Sequence, residues 1–158
     1  MTRLIQISAA LVFLVALWKS FRLAMGLRAA AVAREADRRA EEARGRRVVT
    51  EVPNHGGEVF LFLETSDAFE WQGRRLAKAE LVGCRLLLNG GVMGTAARPG
   101  AALPDPGTPE EYEGRERWDV RLYSSQGLAD VPCGTLREGV SREAARAVFD
   151  SVRRSLAV

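Results

Sequence analysis

Residues 4–18 of the chain, LIQISAALVFLVALW, run for fifteen positions without a charge and without a polar face. A helix of that length covers ~22 Å, short of a ~30 Å hydrocarbon core. The apolar character resumes beyond Lys19 and Arg22 with Phe21, Leu23, Ala24, Met25 and Leu27. Lys19 and Arg22 can lay their aliphatic stems along the helix and lift their charges to the headgroups, with Trp18 at the same level. The pattern therefore predicts one transmembrane helix over residues 1–25, with Trp18, Lys19 and Arg22 as membrane-interface anchors. The competing reading is a cleavable signal peptide ending at Ala31-Val32-Ala33. Fifteen residues, three of them basic, lie between the end of the apolar run and a cut after Ala33, which disfavours cleavage there.

The helical pattern continues past the bilayer. Residues 27–44 contain no Gly or Pro and are rich in strong helix formers, and Gly45 is a natural stop. A juxtamembrane helix is expected over residues 26–45. Ala29, Ala33, Ala36, Ala40 and Ala43 step by four and three, a heptad-like stripe, with Glu35 and Arg39 as a favourable pair on its flank. Within the apolar run Ser8, Ala16, Ser20 and Ala24 form a similar small-residue row, interrupted by Val12. Small residues at such spacing let a second helix approach closely, so both rows are a candidate helix-packing face. The plainer reading of the alanine stripe is a solvated stalk stabilised by helix propensity.

Behind Gly45 the period changes. Residues 47–52 (RVVTEV) read as a strand, closed by the turn Pro53-Asn54-His55-Gly56-Gly57. Residues 58–65 (EVFLFLET) are continuously apolar in the middle and predict a central strand. Short strands follow at 69–71 and 74–76 around Gln72-Gly73, and residues 81–89 (LVGCRLLLN) form another, ended by Asn89-Gly90-Gly91. Residues 94–116, with four prolines and four glycines, predict an irregular loop. Residues 118–123 (WDVRLY) alternate and put Trp118, Val120 and Leu122 on one face. A turn at 124–127 and a return strand at 128–135 lead to a helix over 141–156, capped by Ser141, whose Ala145, Val148, Phe149, Val152 and Leu156 form one apolar stripe.

The expected fold is thus a single transmembrane helix with a helical extension, then a mainly β soluble domain over residues 46–158. Six or seven strands make a curved antiparallel sheet or partial barrel, with the C-terminal helix over its open end. Residues 69–91 (FEWQGRRLAKAELVGCRLLLNGG), together with VPCGTL leading into residues 141–156, resemble a bacterial pleckstrin-homology-like domain. The resemblance implies a scaffold, frequently membrane-anchored, and does not fix a ligand.

Charge sharpens the organisation. The chain holds 23 Lys+Arg and 20 Asp+Glu, a formal charge of +3. Residues 1–45 carry eight basic against four acidic residues, and residues 46–158 carry fifteen against sixteen. The folded part has no basic excess, so no nucleic-acid partner is expected. The cluster Lys19, Arg22, Arg28 and Arg34 places its side of the helix in the cytoplasm, with the N-terminus outside, in an inner (cytoplasmic) membrane. Cys84 and Cys133 are then free thiols; in the reverse orientation they could pair as one disulfide.

Candidate chemistry is sparse. His55, the one histidine, sits in a turn with no nucleophile at a recognisable motif distance. Two cysteines 49 residues apart cannot assemble a zinc site. Residues 89–94 (NGGVMG) lack the GK[ST] of a phosphate loop and read as a hairpin tip or loop entry, and Asp105, Glu110, Glu111, Glu113 and Glu116 lack the spacing of an EF-hand. No catalytic, cofactor or metal residues are assigned, and no enzyme activity is expected. Two functions remain. One is a non-catalytic accessory or scaffold subunit of a larger membrane complex, respiratory or photosynthetic, whose partners are other membrane-protein subunits and the lipid bilayer. The other is a membrane-tethered lipid- or ligand-sensing module, for which Arg74, Arg75 and Lys78 are the basic cluster.

Overall fold

The computed structural model describes the backbone of residues 2–53, 59–106, 116–135 and 139–157, with side chains from residue 15 onward. The chain divides into two compact units, Met1–Arg44 and Gly45–Val158.

The first unit is one uninterrupted helix, α1, Thr2–Ala43. Along its charged portion Arg39 pairs with Glu35 at 3.0 Å and Arg38 with Glu42 at 3.1 Å, both one turn apart. These exposed pairs contribute a few tenths of a kcal/mol each, about what a solvated helix gains from them. Among the described residues no helix is long and apolar enough to cross a membrane. The spanning segment expected over residues 1–25 is therefore without support from them. Most of its apolar run lies at residues 4–14, whose side chains fall outside the described set.

The second unit is built from two four-stranded antiparallel sheets and one helix. β1 (Arg47–Pro53), β2 (Val59–Glu64), β3 (Ala68–Trp71) and β4 (Arg74–Ala77) form the first sheet in sequential order. A 3₁₀ turn, Lys78–Glu80, leads into β5 (Leu81–Leu88). β5 lies between β6 (Gly91–Ala97) and β7 (Trp118–Ser124), and β8 (Gly127–Pro132) closes the second sheet outside β7. α2 (Val140–Leu156) packs on β1 from the first sheet and on β5, β6 and β7 from the second.

Two tight turns set the registers. Gln72 and Gly73 both have positive φ (46° and 73°), as do Asn89 and Gly90 (49° and 78°). Each pair is a two-residue hairpin turn of the kind that matches the strand twist. The second of these is the hairpin tip expected near residues 89–94, and what differs from the sequence reading lies beyond it: β6 takes Gly94–Ala97 from the expected loop over 94–116. The described part of that loop is also held in place. Leu103 lies over Gly83, where a Cβ would come within 2.7 Å of its Cδ2, and Arg85 donates to the Pro104 carbonyl at 2.6 Å.

α2 differs at its start. Its N-cap is Gly139 at φ 82°, with the Glu143 amide bonding the Gly139 carbonyl at 2.8 Å. Ser141 is fully buried in the first turn rather than capping it. The stripe Ala145, Val148, Phe149, Val152 and Leu156 is buried, and it joins Val52, Phe62, Phe69, Trp71, Leu81, Val120, Leu122 and Val131 in one core. Phe62 stacks on Phe69 at 5.6 Å between ring centroids and meets Trp71 at 5.8 Å. One core drawing on both sheets and the helix makes residues 45–158 a cooperative unit.

Candidate functional site

On α1 the residues expected as anchors, Trp18, Lys19 and Arg22, are exposed, with the Arg22 guanidinium 4.9 Å from the Trp18 ring centroid. A cation stacked on an indole suits a water–apolar boundary, where one end of the pair is wet. Seven large apolar side chains are exposed in the same stretch: Val15, Leu17, Trp18, Phe21, Leu23, Met25 and Leu27, at 47–66% of their full area. The small residues Ala16, Ser20, Ala24, Ala29, Ala33, Ala36 and Ala40 are exposed too, while the Ser8 side chain lies outside the described residues. Because α1 is continuous, its ~100° rotation per residue fixes how the rows relate. Ala29, Ala33, Ala36 and Ala40 share one face; Ala16, Ser20 and Ala24 share another, roughly opposite. The two rows do not make one continuous face.

In the β unit the sharpest polar arrangement centres on Glu64 at the end of β2. Its carboxylate accepts from Lys78 Nζ at 2.8 Å and Ser151 Oγ at 2.7 Å, and pairs with the Arg47 guanidinium, which also donates to Ser151 Oγ at 3.0 Å. Burial alone raises the Glu64 pKa, but the hydrogen bonds from Lys78, Arg47 and Ser151 more than reverse this and hold it at about 2. The carboxylate is thus a fixed anion that ties β1, β2, the 3₁₀ turn and α2 together.

Beside it opens a cleft of about 420 Å³ lined by Glu64, Ser66, Lys78, Ala79, Arg98, Arg154 and Ser155. Arg98 donates through Nη2 to the Lys78 carbonyl at 2.8 Å, and its Nε is buried without a hydrogen-bond partner. A second groove, about 400 Å³, lies between the edge strands β4 and β8 and is lined by Trp71, Arg74, Leu76, Gln126, Leu128 and neighbours. Trp71 is buried and its indole N–H has no partner among the described residues.

The basic cluster expected from Arg74, Arg75 and Lys78 is not assembled as a free patch. Arg75 bonds Glu70 and Asp67, both at 2.7 Å, and Lys78 bonds Glu64. Strand alternation separates them, since Arg74 and Arg75 point to opposite faces of β4. Cys84 and Cys133 are free and buried, and burial pushes the Cys84 thiol up to about 12 and Cys133 in the same direction. His55, Glu110, Glu111 and Glu113 lie outside the described residues, and among those described no group of His, Cys, Asp and Glu could hold a metal. Arg98 and Arg154 are the residues that sequence reasoning missed. They are 56 positions apart, and only the return of α2 beside β6 brings them to one cleft. Comparison with known protein families, curated proteins and solved structures returns no match to the chain.

Proposed function

We propose that the protein is a non-catalytic, single-pass accessory or scaffold subunit of a membrane complex. The observation that carries this reading is the exposed apolar band Val15–Leu27 on α1. Isolated exposed apolar residues are ordinary, but seven within thirteen positions of one helix need lipid or another helix to cover them. The length agrees: 42 residues at ~1.5 Å each give ~63 Å, about twice a ~30 Å hydrocarbon core. In this reading residues 1–25 sit in the inner membrane with the N-terminus outside, and Trp18, Lys19 and Arg22 mark the cytoplasmic boundary. The alanine face of residues 29–40 then meets a neighbouring subunit beyond the bilayer, and the β unit works in the cytoplasm. Two antiparallel sheets closed by a C-terminal helix also support the pleckstrin-homology-like scaffold expected from residues 69–91 and 141–156.

Purification in mild detergent from native membranes tests the reading. The chain is expected to co-migrate with a multi-subunit assembly, and replacing Ala33 and Ala36 by Leu should loosen that association while leaving the β unit folded. Extraction without detergent, or a monodisperse lone monomer, would refute it. A tethered lipid- or ligand-sensing module is the second reading, favoured by the cleft that Arg98 and Arg154 line.

A further inference from the structure

The cleft beside the 3₁₀ turn is lined by Lys78, Arg98 and Arg154 against one carboxylate, Glu64, an excess of two positive charges. Glu64 is already engaged by Lys78 and by Arg47 from outside the lining. Many cations of the β unit meet a carboxylate in this way: Arg47, Arg75, Arg117, Arg121 and Arg153 each pair with an Asp or Glu. Arg98 and Arg154 have no carboxylate partner among the described residues, and they line the same cleft. Arg98 is steadied by its bond to the Lys78 carbonyl, yet its buried Nε donor is unsatisfied.

We infer that this cleft is a binding site for a phosphate-class dianion, held by the guanidinium groups of Arg98 and Arg154 with Lys78 and the Ser66 hydroxyl in support. Guanidinium forks match tetrahedral oxyanions in geometry as well as charge. A phosphate monoester carries about −1.5 to −2 at neutral pH, which matches an excess of two, whereas a single carboxylate leaves one charge uncompensated. The volume exceeds that of a phosphate group, so the ester's organic portion is accommodated at the open side. Ser155 contributes little as a donor, because its hydroxyl is committed to the Val152 carbonyl at 2.7 Å. The phosphate can be presented by a soluble ester or by a lipid headgroup, and the cleft chemistry is the same for both.

The site stands apart from the subunit reading: loss of co-purification leaves phosphate binding intact, and loss of phosphate binding leaves co-purification intact. The test uses the full chain in zwitterionic nanodiscs, titrated calorimetrically with glycerol phosphate at ionic strength held constant with chloride. Saturable one-to-one binding is expected, weakened about tenfold by Arg154→Gln, the loss of one charge-assisted interaction. Arg153→Gln makes the same charge change one residue away, on a side chain paired with Asp150 and outside the lining, and should leave binding unchanged. Arg98→Gln should weaken binding similarly. Arg154 is exposed, so its variant carries the test even if the Arg98 variant misfolds. In nanodiscs containing phosphatidic acid, weaker apparent binding of glycerol phosphate identifies the headgroup as the source; unchanged binding identifies a soluble ester. Absence of saturable binding, or equal weakening by Arg153→Gln and Arg154→Gln, overturns the inference.

Discussion

Replacing Glu64 by Gln removes one charge and little volume from a network that joins four elements. Arg47 comes from β1, Glu64 from β2, Lys78 from the 3₁₀ turn and Ser151 from α2. The carboxylate is held at about 2 against an ordinary value of 4.5. That difference corresponds to at most ~3.4 kcal/mol of linkage at neutral pH. Glu64 keeps 16% of its side-chain area in solvent and Arg47 is well exposed, so screening reduces the figure to ~1–2 kcal/mol. The sign follows from the depressed pKa: the contribution is complete above the unfolded value and is lost as pH falls toward 2. Urea unfolding of the full chain at low salt, followed by fluorescence of the buried Trp71 and Trp118, measures it. Wild type should exceed Glu64→Gln by about 1–2 kcal/mol at pH 7, and about eight- to nine-tenths of that screened gap should be gone at pH 3. A gap that stays constant between pH 7 and pH 3 would refute the electrostatic account and leave only packing.

Three further outcomes follow from the packing. Phe62 is fully buried and stacked on Phe69, so Phe62→Ala should cost about 3–5 kcal/mol in denaturant unfolding. Gly83 lies under Leu103 and the Ala96 carbonyl, so Gly83→Ala should cost about 1–3 kcal/mol and increase proteolytic cutting in residues 98–106. Both thiols should resist a disulfide reagent at pH 8 in the folded protein and react on unfolding, because burial holds Cys84 at about 12 and raises Cys133.

Several elements were readable from the sequence because local pattern and tertiary role coincide. The apolar run at residues 58–65 predicts a central strand, and β2 lies between β1 and β3. The apolar stripe of α2 is the face it buries. β6 escaped because GVMGTAA has weak strand propensity; its pairing comes from the Asn89-Gly90 turn and from β5, and Gly94 faces the Phe149 ring, 3.4 Å from where its Cβ would be. Ser141 has the chemistry of a cap, but Gly139 supplies the left-handed conformation at the helix start. The cleft was invisible for a different reason. Residue 66 lies between β2 and β3, residue 78 in the 3₁₀ turn, residue 98 just past β6 and residue 154 in α2, and no local spacing links them. The face relation on α1 depended on the helix being unbroken from Thr2 to Ala43, which turns two plausible rows into opposite ones.

The placement of α2 also bears on how the β unit is made. Ser151 reaches Arg47 across 104 positions, and α2 packs on β1 as well as on β5 and β7. During synthesis the eight described strands leave the ribosome before the helix that closes them. Contacts at such separations are slow to form, because a long loop must close first. The nascent strands therefore spend an interval with their apolar faces uncovered, and the final residues of α2 release the unit from that exposure.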